Sequence, residues 1–284
     1  MADRPLIGAH LSTGKGLVAM LHAAVALGAT CAQIFTSSPQ QWRGKTYTRA
    51  DAEAFKAARA ETGVGPVISH ESYLINLASL DPEILAKSEQ AFREEIARCG
   101  MLGLPALVMH WGSHKGGSLK EGIARLAKSL NEMIPLADDA GVQIVLEVTA
   151  GQGSYMGGDF AQFPRLFAQA PAHERLGVCL DTAHVFAAGY DLRDEASYRA
   201  LWKEFARHIG LDRLKVIHVN DTDKALGSHA DRHANIGQDQ LGLEAFRLLM
   251  QDPRLAAIPK ILETPGGEEM HESNLRVLWA LAGE

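Results

Sequence analysis

Eight short apolar runs rich in β-formers recur along this chain. Each is followed by a segment whose apolar residues carry helical spacing. The runs span residues 5–11, 31–36, 67–71, 106–110, 143–149, 176–182, 214–221 and 258–264. Helical spacing is clearest over 50–62, 83–102, 119–140, 197–209 and 243–251. Strand–helix alternation predicts parallel strands. With 284 residues there are about 35 for each unit, which predicts an α/β fold, a closed (β/α)8 TIM barrel, as one domain over residues 1–284. An open doubly wound sheet is the alternative, but it usually carries a glycine-rich phosphate turn after its first strand. Gly14-Lys15-Gly16 is too short and misplaced for that turn, and no linker or charge run divides the chain.

At or near the end of each run, after its apolar stretch, stands a polar residue: His10, Thr36, His70, His110, Glu147, Asp181, His218 and Glu263. In a barrel these positions gather on the C-terminal rim, where active sites are built from the loops that follow the strands. One buried strand-end histidine is ordinary. Burying this many imidazoles and carboxylates without a metal or substrate is costly. Two local patterns enlarge the set. Asp181-Thr182-Ala183-His184 adds a donor just past the sixth strand, and Asp231-Arg232-His233 places two donors on one side of an extended loop. Nine candidates result: His70, His110, Glu147, Asp181, His184, His218, Asp231, His233 and Glu263. Histidine and carboxylate donors without thiolate suit zinc or manganese. Nine are too many for one ion and predict two or three with bridging carboxylates, an arrangement suited to phosphoester displacement.

The remaining chemistry-bearing residues have plainer readings. Cys31, Cys99 and Cys179 form no CxxC pair and read as buried, reduced thiols. His22, His173, His208 and His271 read as surface residues, and His114 and His229 fall in rim loops. Trp202 and Trp279 read as helix-to-barrel packing, whereas Trp42 and Trp111 follow strands two and four and are placed to line the site. The formal net charge is −6, yet Lys15, Arg43, Lys45, Lys115, Lys120, Arg193, Lys224 and Arg232 all follow strand ends, predicting a basic rim on an acidic molecule. No apolar run is long enough for a membrane helix, and Met1-Ala2-Asp3-Arg4-Pro5 is no secretory leader, so a cytoplasmic protein is expected.

Several longer motifs carry a resemblance. They are His70 through Ala78, Gly177 through His184 running into Phe186 through Asp191, His218-Val-Asn-Asp221, Asp231-Arg-His233, Glu147 with Ala150-Gly-Gln-Gly153, Leu262-Glu-Thr264 and Gly8-Ala-His10. With them the chain resembles the endonuclease IV family of apurinic/apyrimidinic endonucleases, from about residue 6 to its end. The resemblance implies a (β/α)8 barrel holding three zinc ions. His70, His110 and Glu147 would hold the first, Glu147 would bridge to a second completed by Asp181, His218 and Glu263, and His184, Asp231 and His233 would hold the third. It implies hydrolysis 5′ to abasic sites in duplex DNA, leaving a 3′-hydroxyl and a 5′-deoxyribose phosphate, with removal of 3′-blocking groups. Glu147 or Glu263 would orient the attacking hydroxide. Tyr73 and Leu74 would wedge into the duplex, Gln40 would enter from the loop after the second strand, and His10 would join the DNA contacts. A monomer without organic cofactor or membrane attachment is expected. Some positions depart from the family pattern: Ala183 for cysteine, Val148 for asparagine, Trp111 for proline, Gln40 for an arginine, and Thr222, Asp223 and Asp239 near the seventh strand. The alternative is a metal-dependent sugar isomerase or epimerase on the same barrel. Such enzymes use fewer ligands, so the His184, Asp231 and His233 group argues against it. A metal-holding or DNA-binding scaffold without catalysis comes third.

Overall fold

A computed structural model of the protein describes residues 4–283. Its elements run β1 (Ile7–His10), α1 (Leu17–Ala26), β2 (Cys31–Phe35), α2 (Arg49–Thr62), β3 (Val67–His70), α3 (Pro82–Leu102), β4 (Ala106–Met109) and α4 (Leu119–Asp139). They continue as β5 (Gln143–Glu147), α5 (Gln162–Phe167), β6 (Gly177–Asp181), α6 (Thr182–Ala188), α7 (Glu195–His208), β7 (Leu214–His218), α8 (Gly242–Gln251), β8 (Lys260–Leu262) and α9 (Gly267–Ala282). The eight strands pair in parallel in sequence order and close, β8 against β1, into the expected barrel.

Local chemistry starts and stops the helices where the sequence supplies the signals. Thr48 with Asp51 and Ser118 with Glu121 form capping boxes at the starts of α2 and α4. Asp81 caps α3 with Pro82 in its first turn, and Gly103 ends it in the left-handed conformation. The strands are shorter than the apolar runs. His110, Glu263 and Thr36 lie just beyond their strands rather than within them. The short α6 falls outside the helical stretches named from spacing, since seven residues are too few to show a period.

Strand alternation divides the barrel interior into two layers. Cys31, Ile68, Val108, Val145, Cys179, Val216 and Ile261 form an apolar layer, all buried in one cluster. The inward positions two residues further along are Gln33, His70, His110, Glu147, Asp181, His218 and Glu263. Between β6 and β7 the register slips, so that Cys179 faces Val216 and Asp181 faces His218. Gly8 is required by close approach, because a Cβ there would overlap the Cys31 carbonyl. A larger apolar core fills the space between strands and helices and includes Trp202.

Two sequence expectations are corrected here. His271 is buried rather than on the surface, because its ring on α9 reaches back to the Thr264 carbonyl, with Nε2 at 3.1 Å. Trp111 does not line the rim. It is fully buried, with its ring 4.6 Å from that of Phe163 on α5. No helix among the described residues is long and apolar enough to cross a membrane. Part of the N-terminal segment read for a leader, residues 1–3, lies outside the described residues.

Candidate metal centre

The upper interior layer places imidazoles against carboxylates, and Glu147 is at its centre. One carboxylate oxygen, Oε2, lies 3.1 Å from His70 Nε2 and 3.4 Å from His110 Nε2. The other, Oε1, lies 3.1 Å from His184 Nδ1 and 3.2 Å from His218 Nδ1. His218 Nδ1 is also 3.2 Å from Glu263 Oε2 and 3.9 Å from Asp181 Oδ2.

Two further donors arrive from outside the strands. Asp181 caps α6, its Oδ1 accepting the His184 backbone N–H at 2.8 Å, and this turn directs His184 back over the barrel mouth. Asp231 and His233 come from the long segment between β7 and α8, pinned by paired backbone bonds between Asp221 and Ala234. Asp231 Oδ1 is 3.2 Å from His184 Nε2 and 3.7 Å from His233 Nε2, while Asp181 Oδ2 is 3.5 Å from the same His233 nitrogen.

Donor atoms therefore converge in three overlapping groups: His70, His110 and Glu147; Glu147, Asp181, His218 and Glu263; and Asp181, His184 and His233. Within each, the atoms lie within 4.8 Å of one another. All nine sequence candidates are brought together. Asp231 adjoins the third group, which also includes Asp181, a sharing that the sequence did not reveal.

Neighbouring groups orient the rings. The Nδ1 side of His70 bonds to the Glu71 carbonyl at 2.9 Å, and that of His233 to the Glu263 carbonyl at 3.3 Å, leaving Nε2 of each directed at the centre. Glu71 also accepts the His110 backbone N–H at 2.8 Å, and Asn220 donates to Asp181 Oδ2 at 2.7 Å. Neither Glu71 nor Asn220 was singled out by sequence. Glu71 adjoins a ligand candidate and Asn220 lies within the seventh-strand motif.

The electrostatics follow from this crowding. Burial opposes ionisation of Glu147, but His218, His110 and the bonds from His184 outweigh it and hold its carboxyl well below the usual range. Glu263 is lowered in the same way, burial being overcome by His218 and by the bond from His10. For His70, burial is outweighed by the bond to and charge of Glu147, which lift it to about 9. His110 goes the other way: burial, with His70 and His184 nearby, pushes it down to about 4 despite Glu147.

Other site candidates are placed as follows. Tyr73 is 62% exposed on the loop after β3, its ring 5.2 Å from Phe35, and Leu74 beside it is half-buried. Both line a cavity of about 760 Å³ together with Trp42, Asn76, His110 and Tyr155. Gln40 is exposed on the loop between β2 and α2. His10 turns inward, Nδ1 lying 3.2 Å from Glu263 Oε1. Thr36 faces outward, and its hydroxyl accepts from Arg98 Nε on α3 at 3.1 Å. Gln33, not Thr36, is the inward polar group of β2. Of the expected basic rim, Arg193 and Lys224 pair with Asp191 and Asp223. Among the described residues, Lys15, Arg43, Lys45, Lys115, Lys120 and Arg232 make no ion pair.

Residues 21–281 match the family model of the xylose isomerase-like TIM barrel. Proteins named probable endonuclease 4 align over nearly the whole chain. The one from Chloroflexus aurantiacus is 44% identical over 273 residues, and that from Geotalea daltonii 46% over 275, each covering 96% of both chains. The crystal structure of endonuclease IV from Thermus thermophilus superposes with a TM-score of 0.86 at 35% identity, covering 98% of this chain and 99% of that one. A D-psicose 3-epimerase from Clostridium cellulolyticum superposes at 0.71 with 16% identity over 98% of each chain, a likeness of fold alone. By sequence, by fold and by the donor groups at its barrel mouth, the chain belongs to the endonuclease IV family of xylose isomerase-like TIM barrels.

Proposed function

We propose that the protein hydrolyses the phosphodiester 5′ to abasic sites in duplex DNA, leaving a 3′-hydroxyl and a 5′-deoxyribose phosphate, and that it also removes 3′-blocking groups. The observation that carries this reading is the sharing of Glu147 and Asp181 among three donor groups, which suits a cluster of three zinc ions rather than one. The residues fit such a cluster. They are histidines and carboxylates without thiolate, and the buried nitrogens His184 Nε2 and His233 Nε2 have no hydrogen-bond partner. His70, His110 and Glu147 are assigned to the first ion. Glu147, Asp181, His218 and Glu263 are assigned to the second. His184, Asp231 and His233, with Asp181 shared, are assigned to the third. Zinc bound there supplies Lewis acidity and lowers the pKa of a bound water to about 7.

The chain's own groups then divide the work. We assign to Glu263 the orienting of the attacking water, since its side chain is 18% exposed while that of Glu147 is 1% exposed. Glu147, enclosed by four imidazoles and common to two donor groups, would help to hold both the first and the second ion. Tyr73 and Leu74 would enter the duplex beside the lesion, offsetting part of the unstacking cost, with Gln40 approaching from the neighbouring loop. The six unpaired cations of the rim attract the phosphate backbone. An abasic nucleotide loses little stacking when it is extruded toward the cavity. The reading needs neither an organic cofactor nor a second subunit.

Incubation with a duplex carrying one abasic site, a 3′-blocked duplex and a panel of ketoses tests the reading. The expected result is incision 5′ to the abasic site and release of the 3′ block, both abolished by a chelator and restored by zinc. Ketose isomerisation without incision would overturn it.

A further inference from the structure

We propose that Gln33 is a positioning residue of this centre, and that its one amide both orients Glu263 and selects the ring nitrogen that His218 presents to metal. The inference rests on the metal-holding reading above. Gln33 lies in the middle of β2, points into the barrel and is fully buried. A polar group in that position is costly unless its bonds are made, and the apolar layer beneath it shows that packing alone does not call for an amide.

The amide makes three close approaches. Its Nε2 donates to Glu263 Oε1 at 2.7 Å and lies 3.1 Å from His10 Nδ1. Its Oε1 accepts from His218 Nε2 at 2.9 Å. Turned over, it would set its oxygen against the Glu263 carboxylate, acceptor against acceptor. The carboxylate therefore decides which way the amide faces. The amide oxygen in turn requires a hydrogen on His218 Nε2, because a carbonyl can only accept. In neutral imidazole the other nitrogen is then the free donor, and that is Nδ1, which faces Glu147, Glu263 and Asp181 at 3.2, 3.2 and 3.9 Å. One side chain thus couples a carboxylate beyond β8 to a ring on β7, holding Glu263 Oε1 so that Oε2 faces the same nitrogen.

The test uses the zinc-loaded protein labelled with 15N-histidine. The wild-type spectrum is expected to show His218 coordinated through Nδ1 with a proton on Nε2. Gln33→Met keeps the length of the side chain and removes all three polar contacts. It is expected to lose zinc to a competing chelator about 10–100-fold more readily, as changes to groups that orient metal ligands do, with an unchanged circular-dichroism spectrum. In the metal-free variant the His218 signals should shift toward a mixture of tautomers. Coordination of His218 through Nε2 in the wild type, or a Gln33→Met variant that holds zinc as tightly as wild type, would overturn the assignment. If that variant does not fold, the wild-type spectrum decides. A protein that binds no zinc overturns the metal reading itself and this inference with it, an outcome distinct from zinc bound through the wrong nitrogen.

Discussion

Two layers of side chains fill the barrel, two residues apart on the same strands, and they obey opposite rules. The lower layer, from Cys31 and Ile68 round to Val216 and Ile261, is apolar and stabilises by burial, at about 25 cal/mol for each Å² removed from water. The upper layer is equally enclosed over much of its area, yet it consists of imidazoles, carboxylates and an amide. Its members are tolerable only because each charge meets an opposite one or a fixed dipole. A closed parallel barrel can hold both because neighbouring layers share the same backbone. The lower layer carries the fold, and the upper one is free to carry chemistry.

The largest break in this comparison should come from Glu263→Gln. It keeps the size of the group but removes the charge assigned to orient the attacking water. Turnover on an abasic duplex should fall by about 10²–10³-fold, the usual loss when one preorganised polar group at the reacting centre is removed, while duplex affinity is kept. Turnover within a few-fold of wild type, with zinc content unchanged, would return the orienting role to another group.

A buried carboxylate outside the three donor groups sharpens the contrast. Glu95 on α3 accepts the Ser72 backbone N–H at 3.1 Å, but its other oxygen has no partner, and burial lifts it to about 7 despite Arg98. Its folded value exceeds its unfolded one. The unfolded chain therefore releases this proton first, and stability falls as pH rises from about 4.5 through 7. Glu95→Gln should remove that loss, with a gain over wild type near zero at pH 4 and up to about 3 kcal/mol at pH 8. Denaturant melts at the two pH values measure it. A gain independent of pH would mean that Glu95 is ionised in the fold.

Above both layers, Tyr73→Ala with Leu74→Ala should weaken abasic-duplex binding about tenfold, within the range for loss of a stacking partner, and leave melting temperature and zinc content nearly unchanged. Unfolding or loss of zinc would show instead that these residues cap the barrel. The smallest expected effect is that of Thr36→Val, one strand position from the interior. It should cost about 1 kcal/mol for the lost bond to Arg98, with no change in zinc affinity.

Thr36 and Gln33 also show where the sequence was legible and where it was not. His70, Glu147, Asp181 and His218 stand out because each is a polar residue that follows an apolar stretch near the end of its run. On β2 the same rule selects Thr36, which faces α3, while the inward group lies three residues earlier inside the run. Counting by twos from Cys31 reaches Gln33, so alternation held the information that run ends did not. Asp231 and His233 were legible only when their i, i+2 spacing was combined with the strand-end set, because that spacing alone is common in solvated loops. The sharing of Asp181 with His184 and His233 was not, because it depends on a one-residue register slip between β6 and β7 and on the turn that begins α6. Trp111 and His271 were misplaced for a related reason. Their partners, Phe163 and the Thr264 carbonyl, come from distant or irregular segments with no periodicity to announce them.

The central claim is that the upper layer and its loop donors hold a cluster of metal ions rather than a single one. Elemental analysis of protein purified without chelator tests it most directly, with abasic-duplex incision followed as zinc is withdrawn and restored. The account predicts close to three zinc per chain and incision that returns only as the full complement is restored. A reproducible content near one zinc per chain with full incision activity would contradict it.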